Sequence, residues 1–134
     1  MKKNSKSKSI KIPSSKHFKL KEFHCNDGTP VPEEFYGNVQ ELMDNLEIIR
    51  EHFGGLYPMR INSGYRTPDY NKKVGGASKS QHLTASAADI RMSVTPSILQ
   101  DAIEQLQKDE KIKQGGLGRY ATFTHYDIGK YRNW

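Results

Sequence analysis

The spacing of apolar residues predicts two amphipathic helices. In the first, Glu33 to His52, apolar side chains recur at three- and four-residue steps, with acidic residues mostly opposite. The dipeptide Gly54-Gly55 ends it. The second begins at Thr95-Pro96, a predicted N-cap followed by proline at the first helical position, and runs to about Gln107. The residues predicted to face the core are Val39, Leu42, Met43, Leu46, Ile49 and Phe53 on the first helix, and Ile98, Leu99, Ala102, Ile103 and Leu106 on the second.

Shorter apolar segments predict strands between and after the helices. Residues 59–66 alternate as a half-buried strand does, and residues 87–94 are apolar enough for a buried strand. Thr67-Pro68 predicts the start of a short helix, whereas the small and polar residues 77–86 predict a loop. The glycine-containing run 115–134 predicts one or two strands with a hairpin-like turn. The sequence therefore predicts an α+β fold, with two main helices packed on a small, mostly antiparallel sheet.

All of the net positive charge lies at the start of the chain. Residues 1–16 contain six lysines and no acidic residue, whereas residues 17–134 contain 15 basic and 15 acidic side chains. We therefore predict two parts, a basic, disordered arm over residues 1–16 and a folded domain over residues 17–134. The arm either keeps the chain in solution or is attracted to an anionic polymer or membrane surface. A domain without net charge argues against nucleic-acid binding as its function.

The composition also excludes other classes of protein and site. No apolar run is long enough for a membrane-spanning helix, which predicts no insertion into a membrane. The lysine-rich start is not followed by an apolar segment, which predicts synthesis in the cytoplasm without a Sec-type signal peptide. The single cysteine, Cys25, excludes an intrachain disulfide and a thiolate metal cluster. We expect a monomer whose small core would gain stability from a bound metal.

Two of the five histidines lie near carboxylates along the chain. His82 is in the predicted loop, and a loop that returns into the following strand can bring Asp89 close to it. His125 and Asp127 are two residues apart in a predicted strand and therefore share a face. Two imidazoles and one carboxylate leave an open fourth position, as catalytic zinc requires, and the remaining carboxylate could take a proton from water. The same spacing also fits a hydrogen-bonded surface pair, so both interpretations stay open.

Three separated segments resemble the motifs of the LAS metallopeptidases, zinc enzymes that cut the peptides of peptidoglycan. Residues 80–89, SQHLTASAAD, resemble the family signature S-x-H-x-x-G-x-A-x-D. Residues 63–66, SGYR, resemble its S-x-Y-R element, and residues 123–127, FTHYD, resemble its terminal H-x-D element. The order and intervals agree over residues 18–134. The resemblance implies the zinc-binding fold that D-Ala-D-Ala peptidases share with the hedgehog signalling domain.

The resemblance also implies roles for the matching residues. One zinc ion per chain would be held by His82, Asp89 and His125. Arg66 would bind substrate and stabilise the charge that develops on the carbonyl oxygen, a role suited to a permanently charged guanidinium. The residues expected to contact substrate are Arg66, Ser63, Tyr65 and Ser80, and the candidates for either the cleft wall or core packing are Tyr65, Tyr120 and Tyr126. The substrate would be a peptidoglycan stem peptide.

Two positions depart from the family pattern. Ala85 replaces the signature glycine, which matters only if the backbone there needs a positive φ angle. Thr122 stands where better-known members carry the Glu or Asp that acts as general base. We therefore assign the base to Asp127, the one acid in the terminal segment. Its alternative role is to orient His125.

The resemblance implies a zinc metallopeptidase, either a carboxypeptidase or an endopeptidase, that acts at the cell wall in lysis or remodelling. A phage endolysin released through a membrane pore would be one such enzyme, and a bacterial enzyme exported by another route would be a second. The alternative function is a non-catalytic, zinc-containing cell-wall-binding module on the same fold. Thr122 favours that alternative, whereas Arg66 and Asp127 argue against it.

Overall fold

Residues 11–134, which the computed structural model describes, form three α-helices and five short strands. The helices are α1 (Tyr36–His52), α2 (Pro68–Lys73) and α3 (Pro96–Lys108). The strands are β1 (Met59–Ser63), β2 (Ala87–Met92), β3 (Gly116–Arg119), β4 (Thr124–Asp127) and β5 (Arg132–Asn133). Short 3₁₀ helices cover Leu20–Phe23, Glu33–Phe35 and Gln81–Thr84. None of the described helices combines the length and apolar character needed to cross a membrane.

The five strands form one sheet in the order β1-β2-β4-β3-β5. Neighbouring strands are antiparallel except for the parallel pair β3 and β5, so the predicted α+β fold with a mostly antiparallel sheet is confirmed. The register of β2 and β4 places Asp89 directly opposite His125, and Ser63 of β1 lies opposite Asp89 on the other side. The sheet therefore joins residues that lie 36 positions apart in the sequence.

The predicted apolar faces of the helices form much of the hydrophobic core. Helix α1 packs on α3, which contacts β2, β3 and β4. The prediction for Ile98 was wrong, because its side chain is 54% exposed. Gln100 is buried on α3 instead, and its amide donates to the carbonyl oxygen of Tyr120 and the hydroxyl of Thr124, both at 3.1 Å. The predicted core residues that are buried are Val39, Leu42, Met43, Leu46, Ile49, Leu99, Ala102, Ile103 and Leu106.

The two Thr-Pro pairs begin their helices in different ways. The Thr67 hydroxyl accepts a hydrogen bond from the Tyr70 amide at 3.1 Å, so the predicted cap of α2 is confirmed. Thr95 makes no side-chain cap bond, although Pro96 is the first residue of α3. A Thr-Pro pair therefore located both helix starts, but the capping bond formed only at α2.

The first described residues contact α1. The Ser14 amide donates to Gln40 Oε1 at 3.2 Å, and the Ser15 hydroxyl donates to the Glu47 carboxylate at 2.6 Å. His17 Nδ1 lies 2.7 Å from the same carboxylate. Part of the predicted arm, residues 1–10, lies outside the described residues. The boundary between arm and domain at residue 17 stays a prediction. The contacts of Ser14 and Ser15 with α1 favour a boundary nearer the start of the chain.

Candidate metal centre

A helical turn before β2 holds His82. The Ser80 hydroxyl oxygen caps the 3₁₀ helix Gln81–Thr84 by accepting a hydrogen bond from the His82 amide at 3.1 Å. The turn ends at Ala85, whose φ angle of 57° lies in the left-handed region. The predicted loop therefore contains a turn of helix. Ala85 replaces the signature glycine, and the backbone at this position does need a positive φ angle.

The three predicted metal ligands converge at one point. Asp89 Oδ1 lies 3.3 Å from His82 Nε2 and 3.1 Å from His125 Nδ1. One nitrogen or oxygen atom from each residue lies within 4.8 Å of the others, and all three side chains are buried. Ligands placed tetrahedrally at about 2.0–2.1 Å from zinc are about 3.3 Å apart, so the spacing fits zinc. Within residues 11–134 this is the one such cluster of His, Cys, Asp or Glu.

Asp89 has the charge state that a metal ligand needs. Burial alone would raise the pKa of Asp89, but hydrogen bonds from His125 and His82 outweigh that effect. They hold the pKa of Asp89 well below its usual range. The carboxylate is therefore ionised at neutral pH, as metal binding requires.

Each histidine of the cluster is oriented through its other ring nitrogen. His82 Nδ1 lies 2.7 Å from the carbonyl oxygen of Gly64, so it donates there and leaves Nε2 free for a metal. His125 Nε2 lies 2.7 Å from Asp127 Oδ2, which leaves Nδ1 free. The two ring centres are 5.2 Å apart, and the planes meet at 73°. Both rings therefore turn their second nitrogen toward Asp89. That nitrogen donates to the carboxylate while it carries a proton, and it would offer its lone pair once a metal takes the place of the proton.

Asp127 is completely buried, and both of its oxygens accept hydrogen bonds. Oδ1 accepts from the amides of Gly116 and Gly129, each at 3.0 Å. Oδ2 accepts from His125 and from Arg132 Nη2, the latter at 2.8 Å. Burial alone would raise the pKa of Asp127, but the hydrogen bonds from His125, Gly129 and Arg132 lower it. Asp127 is therefore an ionised carboxylate on the side of the His125 ring that faces away from Asp89.

Three contacts fix Arg66 beside the cluster. Its Nη2 donates to Asp89 Oδ2 at 3.1 Å, and its Nε donates to the Ser63 hydroxyl at 3.1 Å. Its Nη1 donates to Asn71 Oδ1 at 3.2 Å. Sequence reasoning missed Asn71, because one polar residue in a short helix carries no signal of its own. Glycine at position 76 is needed here, since a Cβ atom there would lie 2.0 Å from Asn71 Oδ1.

A cleft of about 540 Å³ opens over the cluster. One part of its lining is aromatic and consists of Tyr120, Phe123 and Trp134. Of these three residues, the sequence predicted only Tyr120. The Tyr120 ring stacks on Phe123 with centres 4.5 Å apart, and Trp134 Nε1 donates to the Tyr120 hydroxyl at 2.9 Å. Tyr126 instead has a packing role, because it is fully buried and donates to the Lys113 carbonyl oxygen. The other ionisable side chains along the cleft are those of Arg66, Lys79, His82, Asp89, His125 and Arg132.

The residues predicted to contact substrate divide into two groups. Arg66 and Ser80 line the cleft. Ser63 does not line it, and its hydroxyl accepts a hydrogen bond from Arg66. Tyr65 is buried against Phe35, with ring centres 6.0 Å apart. Ser63 and Tyr65 therefore lie where they support the site, and their contact with substrate stays a prediction.

The position of the expected family base lies outside the cleft. Thr122 is exposed, and its carbonyl oxygen accepts a hydrogen bond from Arg91 Nε at 3.1 Å. Among the described residues, Asp89 is the one carboxylate that lines the cleft. The local geometry therefore offers no free acid as a replacement for the missing one.

Comparison with known proteins identifies the family. A family model described as peptidase M15 matches residues 16–127, a range that includes all three predicted ligands and Asp127. The chain belongs to the peptidase M15 family. The resemblance to zinc peptidases that the three motifs indicated is thereby confirmed.

Individual relatives of this M15 family member are peptidoglycan endopeptidases. The chain is 30% identical over 101 residues to the peptidoglycan L,D-endopeptidase MepK of Escherichia coli (strain K12), and equally to that of Shigella flexneri. The alignments cover 69% of this chain and 52% of each relative. The chain therefore spans about half the length of the curated relatives it matches.

Proposed function

We propose that this M15 family member is a zinc-dependent peptidase that hydrolyses peptide bonds in peptidoglycan stem peptides or cross-links. The observation that carries the proposal is the convergence of His82, Asp89 and His125 under an open cleft. Family membership supports peptidase chemistry. Similarity to a peptidoglycan L,D-endopeptidase supports an endopeptidase over a carboxypeptidase.

The three ligands provide the donor set that zinc prefers. Each imidazole would offer the metal one nitrogen, because the other ring nitrogen donates to Gly64 or to Asp127. Asp89 adds an ionised oxygen, and three protein ligands leave a fourth position open to the cleft. Zinc held here, one ion per chain, would supply Lewis-acid chemistry near neutral pH.

Arg66 is the residue that would act on the substrate carbonyl. Its guanidinium is held by Ser63, Asn71 and Asp89, so little motion is left to be lost when substrate binds. It lines the cleft next to the cluster, where its N–H groups would stabilise negative charge that develops on the scissile carbonyl oxygen. Ser80 lies on the same cleft and would contact the peptide.

Asp127 has two possible roles, and its contacts favour orientation of His125 over general-base catalysis. The carboxylate has no exposed surface, and its oxygens already accept from Gly116, Gly129, His125 and Arg132. One of these bonds would have to break before Asp127 could take a proton from water. A carboxylate that holds the far nitrogen of a ligating histidine fixes the ring and raises its basicity.

The second candidate function is a non-catalytic, zinc-containing module that binds the cell wall. Its specific support is the absence of an unengaged carboxylate along the cleft among residues 11–134. Both functions place the protein at the cell wall. A phage endolysin released through a membrane pore and a bacterial remodelling enzyme are the two sources that we propose for the peptidase.

Digestion of purified peptidoglycan separates the two functions. The full chain, with its zinc content measured, is incubated with sacculi with and without chelator, and the soluble products are assigned by mass. A peptidase releases peptide fragments that identify the cut bond, and chelator stops the release. A chain that carries zinc and binds sacculi but releases no fragment at saturating zinc would be the binding module.

A further inference from the structure

Arg132 reaches the metal centre from β5, beyond the residues that the family model matches. In the parallel pair of β3 and β5, Arg132 lies beside Gly116, and its amide donates to the Gly115 carbonyl oxygen at 3.2 Å. Its Nη2 donates to Asp127 Oδ2 at 2.8 Å, and its Nη1 lies 3.5 Å from Oδ1. The two ends of the guanidinium thus face the two oxygens of one carboxylate, the geometry that arginine forms best.

The guanidinium is held in this place by its own neighbours. Its Cζ atom lies 5.3 Å from the centre of the Trp134 ring, a cation–π distance, and Nη1 also donates to the carbonyl oxygen of Lys130. The Trp134 ring lies 4.9 Å from the ring of His125. Strand β5 and the residue after it therefore place Arg132 and Trp134 around the outer side of the His125 ring.

Charge balance gives Arg132 a specific task. Asp127 has no exposed surface, and a buried carboxylate is costly unless a positive charge faces it. Two residues form ion-pair contacts with it among the described ones, His125 and Arg132. A histidine that ligates a metal through Nδ1 and donates through Nε2 is neutral. In the metal-bound protein, Arg132 is then the cation that balances Asp127.

We propose that Arg132 is a positioning residue of the metal centre: it holds Asp127, and through Asp127 it holds the His125 ring in the orientation that binds metal. The proposal rests on the zinc site of the proposed function. Removing the guanidinium leaves Asp127 buried without its cation. It also removes one of the two hydrogen bonds that Asp127 Oδ2 accepts. His125 is then oriented less firmly, while His82 and Asp89 keep their own contacts.

The test compares zinc affinity in four full-length proteins, the wild type, R132Q, R132K and R119Q, by competition with a chromogenic chelator. Arg119 is the matched control, because it lies on the adjacent strand β3 and makes exposed ion pairs with Asp101 and Glu104 at 3.0 and 2.9 Å. We expect R132Q to bind zinc about 10-fold more weakly, the lower end of the range for partners of metal ligands. R132K, which replaces the two-ended guanidinium with a single ammonium, should bind zinc about threefold more weakly. R119Q should keep the zinc affinity of the wild type.

A second readout separates positioning from general stability. Cobalt(II) bound in place of zinc has a visible spectrum that depends on ligand geometry, so R132Q should change this spectrum whereas R119Q should not. Melting temperatures of the metal-free variants control for folding. If R132Q does not fold, R132K decides, and wild-type affinity and spectrum in that variant would overturn the proposal.

Four further outcomes are distinct. Zinc affinity of R132Q within twofold of the wild type would overturn the proposal, as would an equal loss in R119Q. A rise in KM for a stem peptide, with zinc affinity and cobalt spectrum unchanged, would overturn it too and make Arg132 a substrate contact of the cleft wall. A wild-type chain that binds no zinc would contradict the proposed function itself.

Discussion

The two histidines of the candidate metal centre are supported in different ways. His82 donates to the backbone carbonyl of Gly64, a neutral group that no side-chain substitution can delete. His125 donates to Asp127, a buried carboxylate that is itself contacted by Arg132. One side of the centre therefore depends on the path of the backbone, whereas the other depends on the balance of buried charges.

The difference predicts where each side is sensitive. The position of Gly64 comes from close packing, because a Cβ atom there would lie 2.8 Å from the Cα atom of Phe23. The position of Asp127 comes from hydrogen bonds to a carboxylate, including one from the Gly116 amide. On the His82 side, changes in backbone packing should mainly lower the free energy of unfolding. On the His125 side, changes in charge should mainly weaken metal affinity.

The largest expected effect comes from removing either ligand, whatever its support. H82A and H125A should each weaken zinc binding by more than about 100-fold, beyond the range for outer partners, because a bond to the metal is lost. Elemental analysis and chelator competition measure the loss, with H52A, on the last residue of α1, as control. Full zinc content in H82A would show that the two histidines do not share one ion.

Metal removal should also destabilise the wild type. Zinc at 100 times its dissociation constant adds about 2.7 kcal/mol to the free energy of unfolding. A chelator should therefore lower the melting temperature of the wild type and leave that of H125A unchanged. An equal response of both proteins would mean that the chelator acts elsewhere.

The next largest effect is expected from Asp127→Asn, which removes charge on the His125 side alone. If Asp127 orients His125, the variant should bind zinc about 10–100-fold more weakly, and excess zinc should restore turnover. If Asp127 is the base, zinc content should survive while kcat falls by about 10²–10⁴ at saturating zinc. Turnover measured across a zinc titration distinguishes the roles, and we expect the first result.

Two glycine substitutions compare the supports directly. In G116A, the new Cβ atom would lie 2.3 Å from Asp127 Oδ2, so the carboxylate must move and zinc affinity should fall. In G64A, the new atom would meet the backbone of Phe23, so the fold should lose about 1–3 kcal/mol. Gly37 in α1 is the control, since a Cβ atom there meets nothing within 4 Å. Chemical denaturation and zinc titration measure both quantities, and identical profiles for the two variants would remove the contrast.

Acid should lower the stability of the fold through Asp27, an exposed carboxylate that accepts hydrogen bonds from Thr29 and Thr67. A hydrogen bond from the Thr29 amide, followed by contacts from Cys25, Thr29 and Thr67, lowers the pKa of Asp27 from 3.8 to about 2. A lowered pKa stabilises the fold above the ordinary value, and this contribution disappears as pH falls from about 4 toward 2. An NMR titration of Asp27 should give a midpoint near 2. In D27N, the melting temperature should fall less steeply as the pH is lowered through this range. A midpoint near 4 would contradict the lowered pKa of Asp27.

The smallest effect is expected from Ala85→Gly in the turn that carries His82. Glycine removes the cost of a left-handed alanine, about 1–2 kcal/mol, but it also loses a buried methyl group, worth about 0.8 kcal/mol, and adds freedom to the unfolded chain. The free energy of unfolding should therefore change by less than about 1 kcal/mol, and zinc affinity should stay constant. A change above about 2 kcal/mol in denaturant titration would show that the turn is strained for another reason.

The sequence by itself determined the local elements and the family. Three- and four-residue apolar spacing determined the buried face of α1, and Thr67-Pro68 determined where α2 begins, because both signals depend only on neighbouring residues. Three motifs in order were enough to indicate the family to which the chain belongs. They also supplied the ligand set, which stays a prediction until metal binding is measured.

Only the tertiary structure decided how those residues meet. The register of β2 and β4 places Asp89 opposite His125, and strand register follows from long-range packing, which leaves no mark on adjacent residues. The same holds for Asn71 behind Arg66 and for Arg132 behind Asp127, since each belongs to another element. Burial and hydrogen-bond saturation of Asp127 could not be predicted for the same reason. They depend on donors that strands β3 and β5 bring to it from elsewhere in the chain.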